Sequence, residues 1–488
     1  MAYTGFITTL KNVHKHSNAD RLQIGECFGN SVIVSMDYVE GQLGVYFPVD
    51  GQLSEEFCKV NDLVRRKDEN GNLCGGYLDP EKRNIKALKL RGEKSDGLFL
   101  PLTCLAEFCK ISDLKDGDTI STLNGKEICK KYIPRTNHRN SNNWANGKRI
   151  RKPKNIAPTF YEHIDTAQLA YNLNAFRAGD IVELTLKIHG TSGRTGYLPL
   201  VKHKQTWLDK LLKRPGKQHK EYGYVTGTRR VVLDDEHDGG FYDDNSFRTE
   251  MARKFEGKLH KGEVCYYEIA GFVNESTPIM ASVKNSKIKD KEFSKQYGDE
   301  TVFSYGCDPQ GDYEELREVV DWTEDGEPVY GDSILAPRCE VYVYRMTQVN
   351  EDGDVVELSP DQVRYRCAQM GVKTVPVFEK FIIPEHTSEY HVAGLNDGGP
   401  DWVQEEQTLV NPGEYVLRKV EQYFDGPDPI GKIHIREGVV ARIVNRPNIT
   451  VYKHKNFNFK VLESIIKDER EFPDMEEAQE EILEKEIG

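Results

Sequence analysis

The sequence predicts a mixed α+β chain built mainly from antiparallel sheets, and three observations predict it. The first hundred residues break into short apolar runs separated by Gly, Asn and Asp. A single clear helical stripe stands at Asn245 to Leu259, and strand-like runs recur after it at "EVCYYEIAGF", "CEVYVYRMT" and "EGVVARIV". Strands that outnumber helices give the mixed α+β class with antiparallel sheets. At 488 residues the chain is too long for one ordinary core, so two or three domains are expected.

Taken in order, "TGFITTLKNV", "DRLQIGECF", "NSVIVSMDYV", "QLGVYFPVDG" and "DGLFLPL" have the spacing of a small barrel or sandwich over residues 1–105. Between 106 and 158 periodicity gives way to Asn, Pro and basic residues, the pattern of a linker or basic arm. A long mixed domain follows over 159–467. In its helix Phe247, Met251, Phe255 and Leu259 recur every fourth residue behind Asn245, which could cap it. Val182, Leu184, Leu186 and Ile188 alternate with Glu183, Thr185, Lys187 and His189, the period of a strand buried on one side. The run "ITVYKHKNFNFKV" reads as the last strand, and "DMEEAQEEILEKEI" as a short acidic helix in a tail over 468–488.

No apolar run is long enough to span a bilayer and "MAYTGFITTLKNVHK" has no signal-peptide pattern, so a cytoplasmic protein with no membrane attachment is expected. The ten cysteines show neither C-x-x-C pairs nor zinc spacing, which favours reduced thiols. The net charge of -13 is unevenly spread. Asp468 to Gly488 holds ten acids and two bases, a net of -8, leaving -5 for the rest. Lys130 to Lys154 holds nine Lys/Arg and no acid, and Val201 to Lys220 holds seven against Asp209. Local fields, not net charge, steer polyanions, so these runs are candidate nucleic-acid contacts; solvated loops are the competing reading.

Two stretches of the first domain, "HKHSNADRLQIG" and "LRGEKSDGLFL", resemble motifs of tRNA-binding OB modules. The matching residues are His14, Ser17, Asn18, Ala19, Asp20, Arg21 and Leu22, then Arg91, Gly92, Ser95 and Gly97. Further on, "KIHGT" at Lys187 is followed by Arg229 and Arg230 in "TGTRRV", Glu268 in "CYYEIAG", Tyr342 and Tyr344 in "VYVYRMT", Glu437 in "REGVVAR", and Lys453 and Lys455 in "VYKHKNF". Each fragment alone is common. In this order they resemble the nucleotidyltransferase motifs of covalent ligases and capping enzymes. Histidine in the third position of "KIHG" is closest to nick-sealing RNA ligases of the phage RNA ligase 2 kind, since DNA ligases typically carry K-x-D-G. An OB module ahead of the transferase domain is similar to the build of bacterial and amoebal RNA ligases. Only 33 residues follow Lys455, too few for the second OB domain of DNA ligases and capping enzymes. Walker A, H-E-x-x-H and G-x-S-x-G signatures are absent.

The resemblance implies an N-terminal OB-like β-barrel followed by a covalent nucleotidyltransferase domain with antiparallel sheets. It also implies an ATP-dependent RNA ligase that seals 3′-hydroxyl/5′-phosphate breaks, with nicks in duplexes preferred. Its cofactors would be ATP and Mg2+ or Mn2+, and its partner RNA or an RNA-containing nicked duplex; no obligate protein partner is evident. Lys187 is the expected nucleophile. A lysine attacks phosphorus only as the free amine, so Lys453 and Lys455 are expected to depress its pKa and hold the α-phosphate. Glu437 is the candidate metal contact. His189, Gly190, Arg229 (or Arg230), Glu268, Tyr344 (or Tyr342) and Val439 (or Val440) would form the nucleotide site. Arg91, Lys148, Arg149, Arg151 and Lys152 would touch nucleic acid. The family often shows Phe-Asp where this chain has Tyr344 and Arg345, which unsettles the stacking assignment. His189 could instead bond Thr191 or Ser192 within its turn, and Asp234, Asp235, Glu236 and Asp238 read as a solvated turn. The alternatives are a DNA ligase or capping-type enzyme and, from another class, a non-catalytic RNA-binding protein.

Overall fold

The chain divides into two units that interleave in sequence. One comprises Met1–Asn137, Val283–Thr301 and Asn456–Ala478; the other His138–Ser282, Val302–Lys455 and Gln479–Gly488. The computed structural model describes residues 3–134, 144–145, 148–149, 156–204, 207, 211, 217–229, 231–233, 246–311, 317–323, 328–333, 336–393 and 402–469. The acidic tail expected to be helical lies outside them.

In the first unit a four-stranded antiparallel sheet runs in the order Leu98–Pro101, Leu43–Phe47, Gly5–Thr9, Thr119–Ile120. Lys11–Lys15, Leu22–Cys27 and Asn30–Ser35 form a three-stranded meander, and Ala87–Leu90 pairs with Glu93–Asp96. These are separate sheets, and no hydrogen-bonded ring of strands closes among the described residues. Ile7, Val45, Phe47, Leu53 and Phe57 form the core. Residues 106–134 add Phe108, Ile120, Ile128 and Cys129 to it although their sequence shows no period. Gly97 belongs here for a steric reason: its φ is +129° and a Cβ would lie 2.5 Å from the Tyr46 ring.

The same unit includes a helix, Phe457–Glu469, where the sequence suggests that the last strand continues. The strand stops at Lys455 because Asn456 turns the chain, its Oδ1 accepting from the main-chain N–H of Asn458 (2.7 Å) and Phe459 (3.2 Å). On this helix Lys460 pairs with Asp96 at 2.5 Å and Lys467, almost fully buried, with Asp50 at 3.0 Å.

The second unit is built on eight principal strands: β1 (Ile181–Lys187), β2 (Thr191–Lys204), β3 (Lys217–Gly227), β4 (Glu263–Asn274), β5 (Cys339–Val349), β6 (Val377–Ile382), β7 (Gly438–Ile443) and β8 (Thr450–Lys455). They fall into two sheets. The first has the order Ala167–Gln168, β8, β7, β1, β6, antiparallel except for the outermost pair. The second runs β3, β2, β4, β5, Val355–Glu357, with short strands added beside β4 and β5. The expected mixed class with mainly antiparallel pairing is therefore present.

Two sequence expectations are corrected. The polar face of β1 is covered at Glu183, which is 3% exposed and makes two 2.9 Å hydrogen bonds with Arg364 on the helix Pro360–Met370, while Thr185 and Lys187 stay half-buried. Pairing removes the cost of burying that carboxylate. The helix expected over 245–259 spans Ser246–Arg253. Beyond it the chain tightens into i→i−3 turns, with Phe255 N donating to Ala252 O and Lys258 N to Phe255 O across Gly257, whose φ is +72°. Phe247, Met251, Phe255 and Leu259 nevertheless all enter one core.

Candidate active site

Lys187 is the last residue of β1 in one sheet, and Thr191 the first of β2 in the other. The three residues between them bridge the sheets. Gly190 has no room for a side chain, because a Cβ would sit 2.4 Å from the carbonyl oxygen of Ile269 on β4. His189 donates its main-chain N–H to the Tyr305 hydroxyl at 2.7 Å. Its ring stands edge-on to Phe303, with centroids 4.7 Å apart, and its Nδ1 lies 3.8 Å from Glu437 Oε2. On the far side of the turn Arg248, 3% exposed, donates to Thr191 Oγ1 (2.6 Å) and Ser192 O (3.3 Å).

The charges converge through strand register. Gly438 is opposite Lys187 on one side and Lys455 on the other, so Glu437, one residue before β7, arrives between the two lysines. A Cβ at Gly438 would meet the His454 carbonyl oxygen at 2.1 Å, which explains the glycine of this motif. Lys187 Nζ is 2.8 Å and Lys455 Nζ 3.5 Å from Glu437 Oε1. The Glu437 side chain is 2% exposed, and its Oε2 is buried without a hydrogen-bond partner. Burial, the largest influence, pulls the Lys187 ammonium down, and Lys455 acts in the same direction. Glu437, through charge and hydrogen bond, and Glu268 outweigh them, so Lys187 is held above the usual lysine value. The lowering expected from Lys455 is therefore present but outweighed by Glu437.

Glu268 lies on β4, in register with Ser192 of β2 and Tyr342 of β5. Its Oε1 accepts from Ser192 Oγ at 3.1 Å. Tyr342 is 4% exposed and donates its hydroxyl to Tyr305 O at 3.3 Å. Tyr344 packs edge-on to His163, with centroids 5.0 Å apart, beside the cluster of Phe160, Leu198, Val264 and Tyr266. Arg345 stacks its guanidinium 4.5 Å from the Tyr266 ring centroid and chelates Glu357. That pairing accounts locally for arginine where the resemblance suggests an aspartate. Arg229 forms an ion pair with Asp165. Burial first, then Arg345 and Arg229, hold His163 well below the ordinary histidine range.

Val439 is fully buried in the core cluster with Leu184, Ala441 and Val416, whereas half-buried Val440 is opposite Lys453 and shares its side of the sheet. In the other unit Arg91 is exposed at φ +52°, and its NH1 donates to Asn18 O at 3.2 Å while Asn18 Nδ2 donates to Arg91 O at 3.1 Å. The two OB-like stretches thus meet each other. Lys148 and Arg149 form a two-residue strand paired with Trp144–Ala145. Arg151, Lys152, Arg230 and the Asp234–Asp238 cluster lie outside the described residues. Arg248, Phe303, Tyr305 and His434 join the site without any sequence motif to announce them.

Among solved structures the chain is similar to the Naegleria gruberi RNA ligase. A lysine-to-methionine variant with AMP and manganese matches at 14% identity and TM-score 0.50, over 93% of this chain and 97% of that one. The same ligase with pyrophosphate matches at 15% identity and TM-score 0.48, over 96% of this chain and 99% of that one. The first match shows a common fold. No protein-family model and no curated protein sequence matches the chain.

Proposed function

We propose that this chain is an ATP-dependent RNA ligase that joins a 3′-hydroxyl to a 5′-phosphate through a lysyl-AMP intermediate. The observation that carries the reading is the meeting of Lys187 and Lys455 on one buried carboxylate, Glu437, at the ends of neighbouring strands. The fold shared with an RNA ligase supports it.

In the first step Lys187 Nζ, as free amine, attacks the α-phosphorus of ATP; a P–N bond forms, pyrophosphate leaves and the amine gives up its proton. The 5′-phosphate oxygen of the RNA then attacks the same phosphorus, breaking the P–N bond and carrying AMP away. Finally the 3′-hydroxyl attacks the 5′-phosphorus, forms the phosphodiester and expels AMP. Lys455, with Lys453, would hold the α-phosphate oxygens as charge gathers on them. Glu268 would accept from ribose hydroxyls, Arg229 contact phosphate or ribose, and Tyr344 or Tyr342 stack on adenine with Val440 opposite.

A divalent cation fits at Glu437, whose Oε2 is buried and accepts no hydrogen bond. No group of three or more His, Cys, Asp or Glu could hold a metal alone among the described residues, so phosphate oxygens and water would complete the coordination, as magnesium prefers. Such a cation, Mg2+ or Mn2+, would neutralise phosphate charge. Engaging Glu437 would also weaken the largest influence that raises the Lys187 pKa.

The amino-terminal unit, read as an OB module, would grip a nicked duplex through Arg91, with Lys148, Arg149, Arg151 and Lys152 of the basic arm. This implies salt-sensitive, sequence-tolerant binding. The test is sealing of 3′-hydroxyl/5′-phosphate nicks with ATP and magnesium, comparing ribose with deoxyribose at the 3′ end. Sealing confined to ribose ends supports the reading; equal sealing of DNA ends favours a DNA ligase; no joining of any strand overturns it.

A further inference from the structure

The segment Val302–Cys307 and the loop Asp428–His434 carry no motif that the reaction above uses, yet they lie directly behind the nucleophile turn. We propose that Tyr305 is a positioning residue for Lys187, an assignment that rests on the ligase reading. Between the last ladder residue of β1 and the first of β2 two fixed points guide the chain: the close approach of Gly190 to Ile269 and the hydrogen bond from His189 N to the Tyr305 hydroxyl. The second fixes the main chain two residues beyond the reacting amine. A shift there moves Lys187 relative to Glu437.

Tyr305 is itself held with unusual care. It is 1% exposed and has φ +50°, a left-handed conformation that bulky residues rarely adopt. Its N–H donates to His434 Nε2 at 3.3 Å, and its carbonyl accepts from the Tyr342 hydroxyl at 3.3 Å. His434 Nδ1 lies 2.9 Å from Ile435 O, which identifies the tautomer with hydrogen on Nδ1 and leaves Nε2 free to accept. The loop carrying His434 is pinned by Asp428, which accepts from the main-chain N–H groups of Ile430, Gly431 and Lys432. Gly431 packs so close that a Cβ would meet Gly306 N at 2.6 Å. The arrangement therefore links Asp428, His434, Tyr305 and His189 in one fixed path to the turn. Burial first, with Glu437 adding to it, raises the Tyr305 phenol well above its ordinary value, so it stays protonated and places rather than transfers a proton.

Tyr305→Phe removes the acceptor with little change in shape. The expected result is self-adenylylation slowed by about 10- to 100-fold, the range for displaced reacting groups, with half-saturating ATP unchanged. Sealing of a strand supplied already 5′-adenylylated, which bypasses the lysine, should proceed at the wild-type rate, and thermal unfolding should show an intact fold. Wild-type adenylylation in a folded Tyr305→Phe, or equal losses in both reactions, would overturn the proposal. If the wild-type protein takes up no AMP, the ligase reading fails separately. Tyr305 is then judged by reaction of Lys187 with trinitrobenzenesulfonate, located by peptide mass spectrometry. An altered rate in Tyr305→Phe supports the assignment and an unchanged rate overturns it.

Discussion

The two sheets of the second unit arrange their ion pairs differently. In the sheet of β1, β7 and β8, Lys187 and Lys455 compete for the single carboxylate of Glu437, which retains a buried oxygen without a hydrogen bond. In the sheet of β2, β4 and β5 two ion pairs are one to one, Arg345 with Glu357 and Arg366 with Glu263. A one-to-one pair stabilises and stays put, whereas two cations sharing one carboxylate can also engage an anionic ligand. On the ligase reading proposed above, the first sheet would carry the chemistry and the second would recognise the nucleotide.

This contrast predicts a graded set of effects. Glu437→Gln, shown by thermal unfolding to be folded, lowers self-adenylylation by about 10²- to 10³-fold, the loss typical of one preorganised electrostatic contact. Filter-bound labelled AMP reads it directly; a loss under threefold would place the chemistry elsewhere. Arg345→Met should cost about 1.5–3 kcal/mol of stability because half-buried Glu357 loses its chelating partner. Urea unfolding measures this, and an unchanged midpoint would show that the pair is not structural. Tyr344→Ala should raise half-saturating ATP by about tenfold if adenine stacks there. Tyr342→Leu producing that shift instead would move the base to the position opposite Glu268.

The smallest effect concerns pH. Glu437 raises the Lys187 pKa, so removing its charge must lower it. In Glu437→Gln the rise of Lys187 reactivity toward an amine reagent therefore begins at lower pH than in the wild type; a rise at the same or higher pH would contradict the ion pair. The corresponding stability term follows the same sign. A raised lysine pKa stabilises fully below its unfolded value, and that contribution fades as pH climbs through the folded one.

Much of this was legible in the sequence because strand alternation and turn residues are local signals. The strands bearing Lys187, Glu268 and Lys455 stand where their periods place them, and so does the close-packed glycine of each short motif. What local patterns cannot carry is burial by distant partners. Glu183 looks solvent-facing until Arg364 covers it, and the direction of the Lys187 shift depends on Glu437, 250 positions away (437 minus 187). The helix beginning at Phe457 was hidden because "NFNFKV" alternates like a strand while Asn456 caps a helix. Tyr305 and His434 were invisible for the same reason: their roles arise from three-dimensional hydrogen bonds between segments without motifs.

The most direct test of the central claim is to incubate the purified protein with magnesium and ATP labelled at the α-phosphate, denature it, and map the label by peptide mass spectrometry. The account predicts AMP on the peptide containing Lys187, absent from Lys187→Ala and released by acid in the manner of a phosphoramidate. AMP on another residue, or no label on wild-type protein freed of prebound nucleotide, would contradict it.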